Sequence, residues 1–208
     1  MLAMFRVLII FTVAAVWVAP AQAETKTPEQ LVSSINDALI EAMKVQGSDA
    51  YQSRFDMLEP VLKEAYNFPA MTRVIVGQSW TTLDGAQKQM ITNAFSRMSV
   101  STFAARFKKF SGQRFVIKGT KEGLRGSMIV ENELISPDRD PVRLNYVLRQ
   151  FKAEWRVIDV QLGATVSELA LRRSEYGSVI SRDGVDALIA LLNNKIAEIE
   201  ADALSTAS

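Results

Sequence analysis

The side chains that could do chemistry are few, and they gather near the C-terminal end of the chain. Asp159 stands in the middle of an otherwise apolar run, Trp155–Leu162. A carboxylate buried there would have its charged form penalised and could act as a base in proton abstraction. The same placement suits a structural acceptor for backbone N–H groups or an arginine, or a wetted strand face. Downstream, Arg172-Arg173-Ser174-Glu175-Tyr176 sets Arg172 and Tyr176 at i,i+4 on one side of a helix. A guanidinium there could meet a phosphate or an acidic partner surface; a solvated helix face would look the same. The chain contains no histidine and no cysteine. The commonest general base is therefore missing, as are the usual ligands of zinc, copper and haem. No phosphate loop, nucleophile elbow, metal-ligand spacing or dinucleotide fingerprint occurs. These residues point toward holding something apolar, without a cofactor, and away from turning over a substrate.

The apolar side chains support the same direction. Phe68, Met71, Trp80, Phe95, Met98, Phe103, Phe107, Met128, Tyr146, Trp155 and Tyr176 are spread over segments that should meet in the fold. They are either ordinary core or the wall of a deep pocket built from flexible methionine and flat aromatics. Periodicity alone does not separate a filled core from a hollow one.

The chain begins like an exported protein. Arg6 supplies a positive n-region, Val7–Val18 an apolar h-region, Pro20 a break, and Ala21-Gln22-Ala23 a small-x-small cleavage site. The expectation is a signal peptide over residues 1–23 and a single domain over 24–208. The apolar run is shorter than the ~20 residues that a spanning helix needs. Loss of Arg6 leaves 23 Lys and Arg against 23 Asp and Glu. A domain with no basic excess is a poor nucleic-acid binder. An exported domain without disulfides must stand on its core alone, which fits a bacterial periplasm, with secretion as the alternative that composition leaves open.

The elements that must position these residues divide into halves. Thr27-Pro28-Glu29-Gln30 is a capping box with proline at the first helical position. Leu31, Ile35, Ala38, Leu39 and Ala42 follow at helical spacing, and Gly47 closes the segment. A second helix is predicted from Tyr51 to Tyr66, with Pro60 as an irregularity, and a short third one from Pro69 to near Gly77. Asp84-Gly85-Ala86-Gln87 caps a long fourth helix. Its stripe Ile91, Phe95, Met98 is offset from Phe103, Phe107, Phe110, so the stripe rotates or the helix bends near Ser99–Thr102. Past Gly112 the segments Gln113–Thr120, Leu124–Ser136, Pro141–Phe151 and Glu154–Gly163 read as four strands with short connections, hence an antiparallel sheet. Leu144, Tyr146 and Leu148 share one face; Arg143, Asn145 and Arg149 share the other. Two helices close the chain, capped by Thr165 or Ser167 and by Asp183. The predicted class is α+β: N-terminal helices, a curved four-stranded antiparallel sheet and two C-terminal helices around an apolar pocket, in an NTF2-like cone.

Two blocks carry a family resemblance. Tyr66–Trp80 (YNFPAMTRVIVGQSW), followed by Gln87-Lys88-Gln89, resembles the front motif of the MlaC/toluene-tolerance family of periplasmic lipid-binding proteins. Trp155–Leu192 resembles its back motif through Trp155, Asp159-Val160, Arg173-Ser174-Glu175-Tyr176 and Gly184-Val185-Asp186-Ala187-Leu188-Ile189. Ser167–Glu175 (SELALRRSE) and Met98–Phe115 (MSVSTFAARFKKFSGQRF) look most like the hopanoid-associated branch, HpnM. Arg172 stands where the family carries a tyrosine before the Arg-Ser pair.

The resemblance, which spans about Phe55 to Lys195, implies a non-enzymatic carrier. It would take the acyl or polycyclic part of a phospholipid or hopanoid tail-first into its pocket. Its partners would be an inner-membrane lipid transporter and an outer-membrane lipoprotein complex. By that analogy Phe68, Met71, Ile75, Trp80, Phe95, Met98, Tyr146, Trp155 and Tyr176 line or flank the pocket. Phe103, Phe107, Met128, Val130, Leu148, Val157 and Leu169 complete the expected wall, with Arg172 and Arg173 at a headgroup or partner. Two other readings stand beside the carrier: an export-pathway interaction module with a filled core, and an enzyme using Asp159.

Overall fold

In a computed structural model of the chain, residues 25–163 and 166–205 are described. The expected signal peptide and Thr165 lie outside the described residues.

Four helices come first. The first, α1 (Pro28–Lys44), starts with the capping box: Thr27 Oγ1 accepts from the Gln30 N–H, and Gln30 Oε1 accepts from the Thr27 N–H. The second, α2 (Ala50–Ala65), runs through Pro60 without a break. Asn67 Oδ1 accepts from the Ala70 N–H and starts α3 (Phe68–Val76), with Pro69 in its first turn. A 3-10 segment, Gly77–Thr81, leads to α4 (Gly85–Arg106), capped by Asp84. The helix ends at Arg106, with Phe107 as its C-cap. Neither a rotation nor a bend is needed to reconcile the two aromatic stripes, since Phe107 and Phe110 lie beyond the helix. Because α4 packs against α2, α3 and α6 (Val185–Ser205), it is buried on several faces and has no single apolar stripe.

The sheet has five strands rather than four, in the order β1 (Arg114–Glu122), β2 (Met128–Ser136), β3 (Arg139–Phe151), β4 (Glu154–Leu162) and β5 (Val166–Ser167), all antiparallel. The fifth strand is two residues long and too short to leave a periodic signal. Register shifts at Ile117/Gly119 and Val147/Leu148 mark bulges, which bend strands and raise their twist. The turn between β2 and β3 is tighter than the gap expected between Ser136 and Pro141, and Arg139 and Asp140 also belong to β3.

Ser167 caps α5 (Glu168–Asp183) through the Ala170 N–H. The cap expected at Asp183 is not there. Asp183 is the last residue of α5, and its carboxylate takes the Arg182 Nε–H at 2.8 Å. Gly184, at φ 84°, makes the turn into α6. The core unites α1, α2, α3, α4 and α6 with one sheet face through Leu39, Leu58, Leu62, Tyr146, Leu148, Leu188 and Leu192. Asn36 of α1 and Asn132 of β2 exchange two side-chain hydrogen bonds at 3.1 Å inside it. The opposite face is not uniformly wetted as the alternation suggested. Asn145 is buried there, and its side chain accepts from the Asn132 N–H.

Candidate functional site: an apolar cavity with a basic mouth

A cavity of about 810 Å³ lies between α3, α4, α5 and one end of the sheet, and it is open to solvent. Its wall contains a run of ring contacts. Phe95 meets Phe68 edge-on at 6.0 Å, and Phe68 stacks on Tyr66 at 5.4 Å. Tyr66 meets Phe103 at 6.2 Å, and Phe103 stacks on Phe107 at 5.8 Å. All five rings line the cavity, joined by Met43, Met71, Met98 and Leu169 from the helices. The sheet contributes Leu134, Val142, Leu144, Val160 and Leu162.

Two hydroxyls of the α4 wall are engaged within their own helix. Ser99 Oγ donates to the Phe95 carbonyl and Thr102 Oγ1 to the Met98 carbonyl, each at 2.8 Å. Their hydrogen-bonding capacity is used on their own helix, so the wall they leave is effectively apolar. Asp159 is likewise engaged. Its Oδ1 accepts from the Val160 N–H at 2.8 Å and from the Leu169 N–H at 2.9 Å, while Oδ2 accepts from Ser167 Oγ at 2.5 Å. These bonds tie the end of β4 to the first turn of α5, where a carboxylate is also favoured by the helix dipole.

The exposed charges of the lining mark the opening. Arg106, Lys108, Lys109, Asp138 and Arg139 line the cavity and are exposed. They come from the C-terminal end of α4, the connection after it and the β2–β3 turn. These two loops touch: a Cβ on Gly112, which sits at φ 86°, would come within 3.3 Å of Pro137 Cγ. Arg172 also lines the cavity but is held by Glu175 at 3.1 Å and Glu168 at 3.8 Å, 5.8 Å from the Tyr176 ring centroid. Burial works against the Arg172 charge, yet Tyr176, Glu175 and Glu168 together raise its pKa above the usual arginine value.

Of the residues expected in the pocket, the structure places Phe68, Met71, Phe95, Met98, Phe103, Phe107, Leu169 and Arg172 on the cavity wall. It does not place Ile75, Trp80, Met128, Val130, Tyr146, Leu148, Trp155, Val157, Tyr176 or Arg173 there. Ile75, Val130, Tyr146, Leu148, Val157 and Tyr176 are packed in the closed core. Met128 and Trp155 sit at the other end of the sheet, paired with Leu148 and Gln150. Trp80 lies in the 3-10 segment with Lys88 Nζ 5.8 Å from its ring centroid, and Arg173 is exposed. Alternation reports which face a residue takes, but not which end of the strand is covered. The sheet residues not anticipated, Leu134, Val142, Leu144, Val160 and Leu162, share the inner face with Tyr146, and counting by twos from it would have reached Leu144 and Val142.

A family model described as MlaC protein matches residues 33–194. The chain belongs to the MlaC family. Among solved structures, the phospholipid-binding protein of Ralstonia solanacearum, determined in complex with a phospholipid, matches at a TM-score of 0.69. The two are 18% identical, and the match covers 82% of this chain and 97% of that one. At that identity the likeness establishes a shared fold. No curated protein matches the chain. Among the described residues, no helix is long and apolar enough to cross a membrane.

Proposed function

We propose that this member of the MlaC family is a lipid carrier, binding the apolar part of a lipid in the cavity beside the Phe95–Phe107 ring series. One observation carries the reading: the space between α3, α4 and the sheet is open, about 810 Å³, and walled by aromatic, methionine and aliphatic side chains. At about 30 Å³ for a group of methylene or water size, that space takes on the order of 25 such groups. This is close to the two acyl chains of a phospholipid, and also to one polycyclic lipid. The phospholipid bound to the structural neighbour supports the phospholipid reading. The Ser167–Glu175 and Met98–Phe115 segments keep the hopanoid branch in play. We read the enclosing architecture as an NTF2-like cone and the location as periplasmic, after removal of residues 1–23.

The physics of lipid transfer supports a carrier. At ~0.8 kcal/mol per methylene, about thirty methylenes impose an aqueous barrier of roughly 20 kcal/mol or more. A cavity as apolar as the bilayer makes transfer near neutral, so direction comes from the partners: an inner-membrane transporter and an outer-membrane lipoprotein complex. A filled-core interaction module is disfavoured by the cavity itself. An enzyme based on Asp159 is disfavoured by the three donors already on its carboxylate. Purification without detergent, denaturation and mass spectrometry of an organic extract test the proposal. Near-stoichiometric lipid is expected. An extract that stays free of lipid after incubation with excess vesicles would rule the carrier out.

A further inference from the structure

We propose that the mouth of the cavity selects lipids with a net anionic headgroup, through Lys109 on one side and Arg139 on the other. The inference rests on the carrier reading. A tail-first lipid in this cavity leaves its headgroup among the exposed lining residues, and the charges there are unbalanced. Five cations line the cavity, Arg106, Lys108, Lys109, Arg139 and Arg172, against the carboxylates of Asp138, Asp159 and Glu168. Arg172 is held between Glu168 and Glu175, and Asp159 is bound to Ser167 and two backbone N–H groups. That leaves four cations facing Asp138, and none of the four has an ion-pair partner among the described residues.

This local excess does not follow from composition, because the chain carries only +1 overall. Arg106 has a structural reason to be where it is, complementing the C-terminal end of α4. Lys109 and Arg139 have none, lying beyond the helix and at the first position of β3. The close approach of Gly112 to Pro137 sets their two loops side by side. Every phospholipid brings a phosphate, which these cations can bind. A zwitterionic headgroup adds an ammonium that the same cations repel, and an anionic one does not.

The test is equilibrium loading from vesicles equimolar in phosphatidylglycerol and phosphatidylethanolamine at 0.15 M salt, followed by re-isolation and quantification of both extracted lipids. The unaltered chain is expected to hold phosphatidylglycerol in about fivefold excess, the scale of two solvent-exposed charge contacts. Lys109→Gln/Arg139→Gln should bring the ratio near one, and Lys109→Glu/Arg139→Glu should invert it. Equal loading of the unaltered chain, or a ratio unmoved by both variants, overturns the proposal. So does slower loading of both lipids with an unchanged final ratio, which would assign the cations to the vesicle surface. Failure to load either lipid would remove the phospholipid-carrier reading on which the proposal rests.

Discussion

The two ends of the inner sheet face differ in what covers them. At one end Val130, Tyr146, Leu148 and Val157 are buried to 1% exposure or less beneath the helices. At the other, the same strands present Leu134, Val142, Leu144, Val160 and Leu162 to an open cavity. The residue types hardly change along the strands. Coverage changes, because α4 stops at Arg106 and the loop after it stands over the β2–β3 turn. A fold can thus anchor itself on half of an apolar face and keep the other half for a ligand. On the proposed function, the closed half carries stability and the open half binding.

Paired truncations sharpen that contrast most strongly. Leu148→Ala should cost about 3 kcal/mol in urea denaturation, as for a fully buried leucine that leaves a cavity. Leu134→Ala, on the open wall, should cost under about 1 kcal/mol while lowering the lipid content. Equal losses would erase the distinction. Next comes Asp159, at the border between the halves. Asp159→Ala removes the acceptor of two N–H groups and one hydroxyl, and should cost about 2 kcal/mol, with faster amide exchange at Leu169. A catalytic aspartate would instead leave stability nearly untouched and abolish a reaction.

The open half is best attacked by filling it. Ser99→Trp places a large side chain in the cavity from α4 and should lower bound lipid about tenfold, or ~1.4 kcal/mol, with little change in Tm. A variant that keeps its full lipid would put the site elsewhere. The smallest effect belongs to Glu175, which pairs with the cavity-lining Arg172. Burial alone would raise its pKa, but Lys195 and Arg172 outweigh burial and lower it. A depressed carboxyl contributes stability that is present above the unfolded value, near 4.3, and lost as pH falls through the folded value. Glu175→Gln should therefore flatten the acid limb of the stability curve below about pH 4.5. The effect is modest, because the side chain is 41% exposed.

Most of the elements were legible from local signals. Thr27 and Asp84 announced their helices because a capping box is written in four consecutive residues. Phe107 misled, because spacing carried the aromatic stripe past the true end of α4. Val166–Ser167 left no mark as a strand because pairing with β4, and not pattern, defines it. At the site, Phe68, Met71, Phe95 and Met98 were legible as part of an apolar wall. Tyr146 and Tyr176 were indistinguishable from them by type, and only the tertiary fold separates lining from core. The mouth cations escaped notice because Lys108-Lys109 and Arg139 lie about thirty residues apart in sequence and meet only through the Gly112–Pro137 contact.

The most direct test is electron density inside the cavity, in crystals of the chain purified without detergent. The expected result is continuous elongated density from the opening near Lys109 and Arg139, past Phe107 and Phe103, to Met71 and Phe95. Side chains of Phe103 and Phe107 turned inward to fill the space, with no such density, would contradict the account.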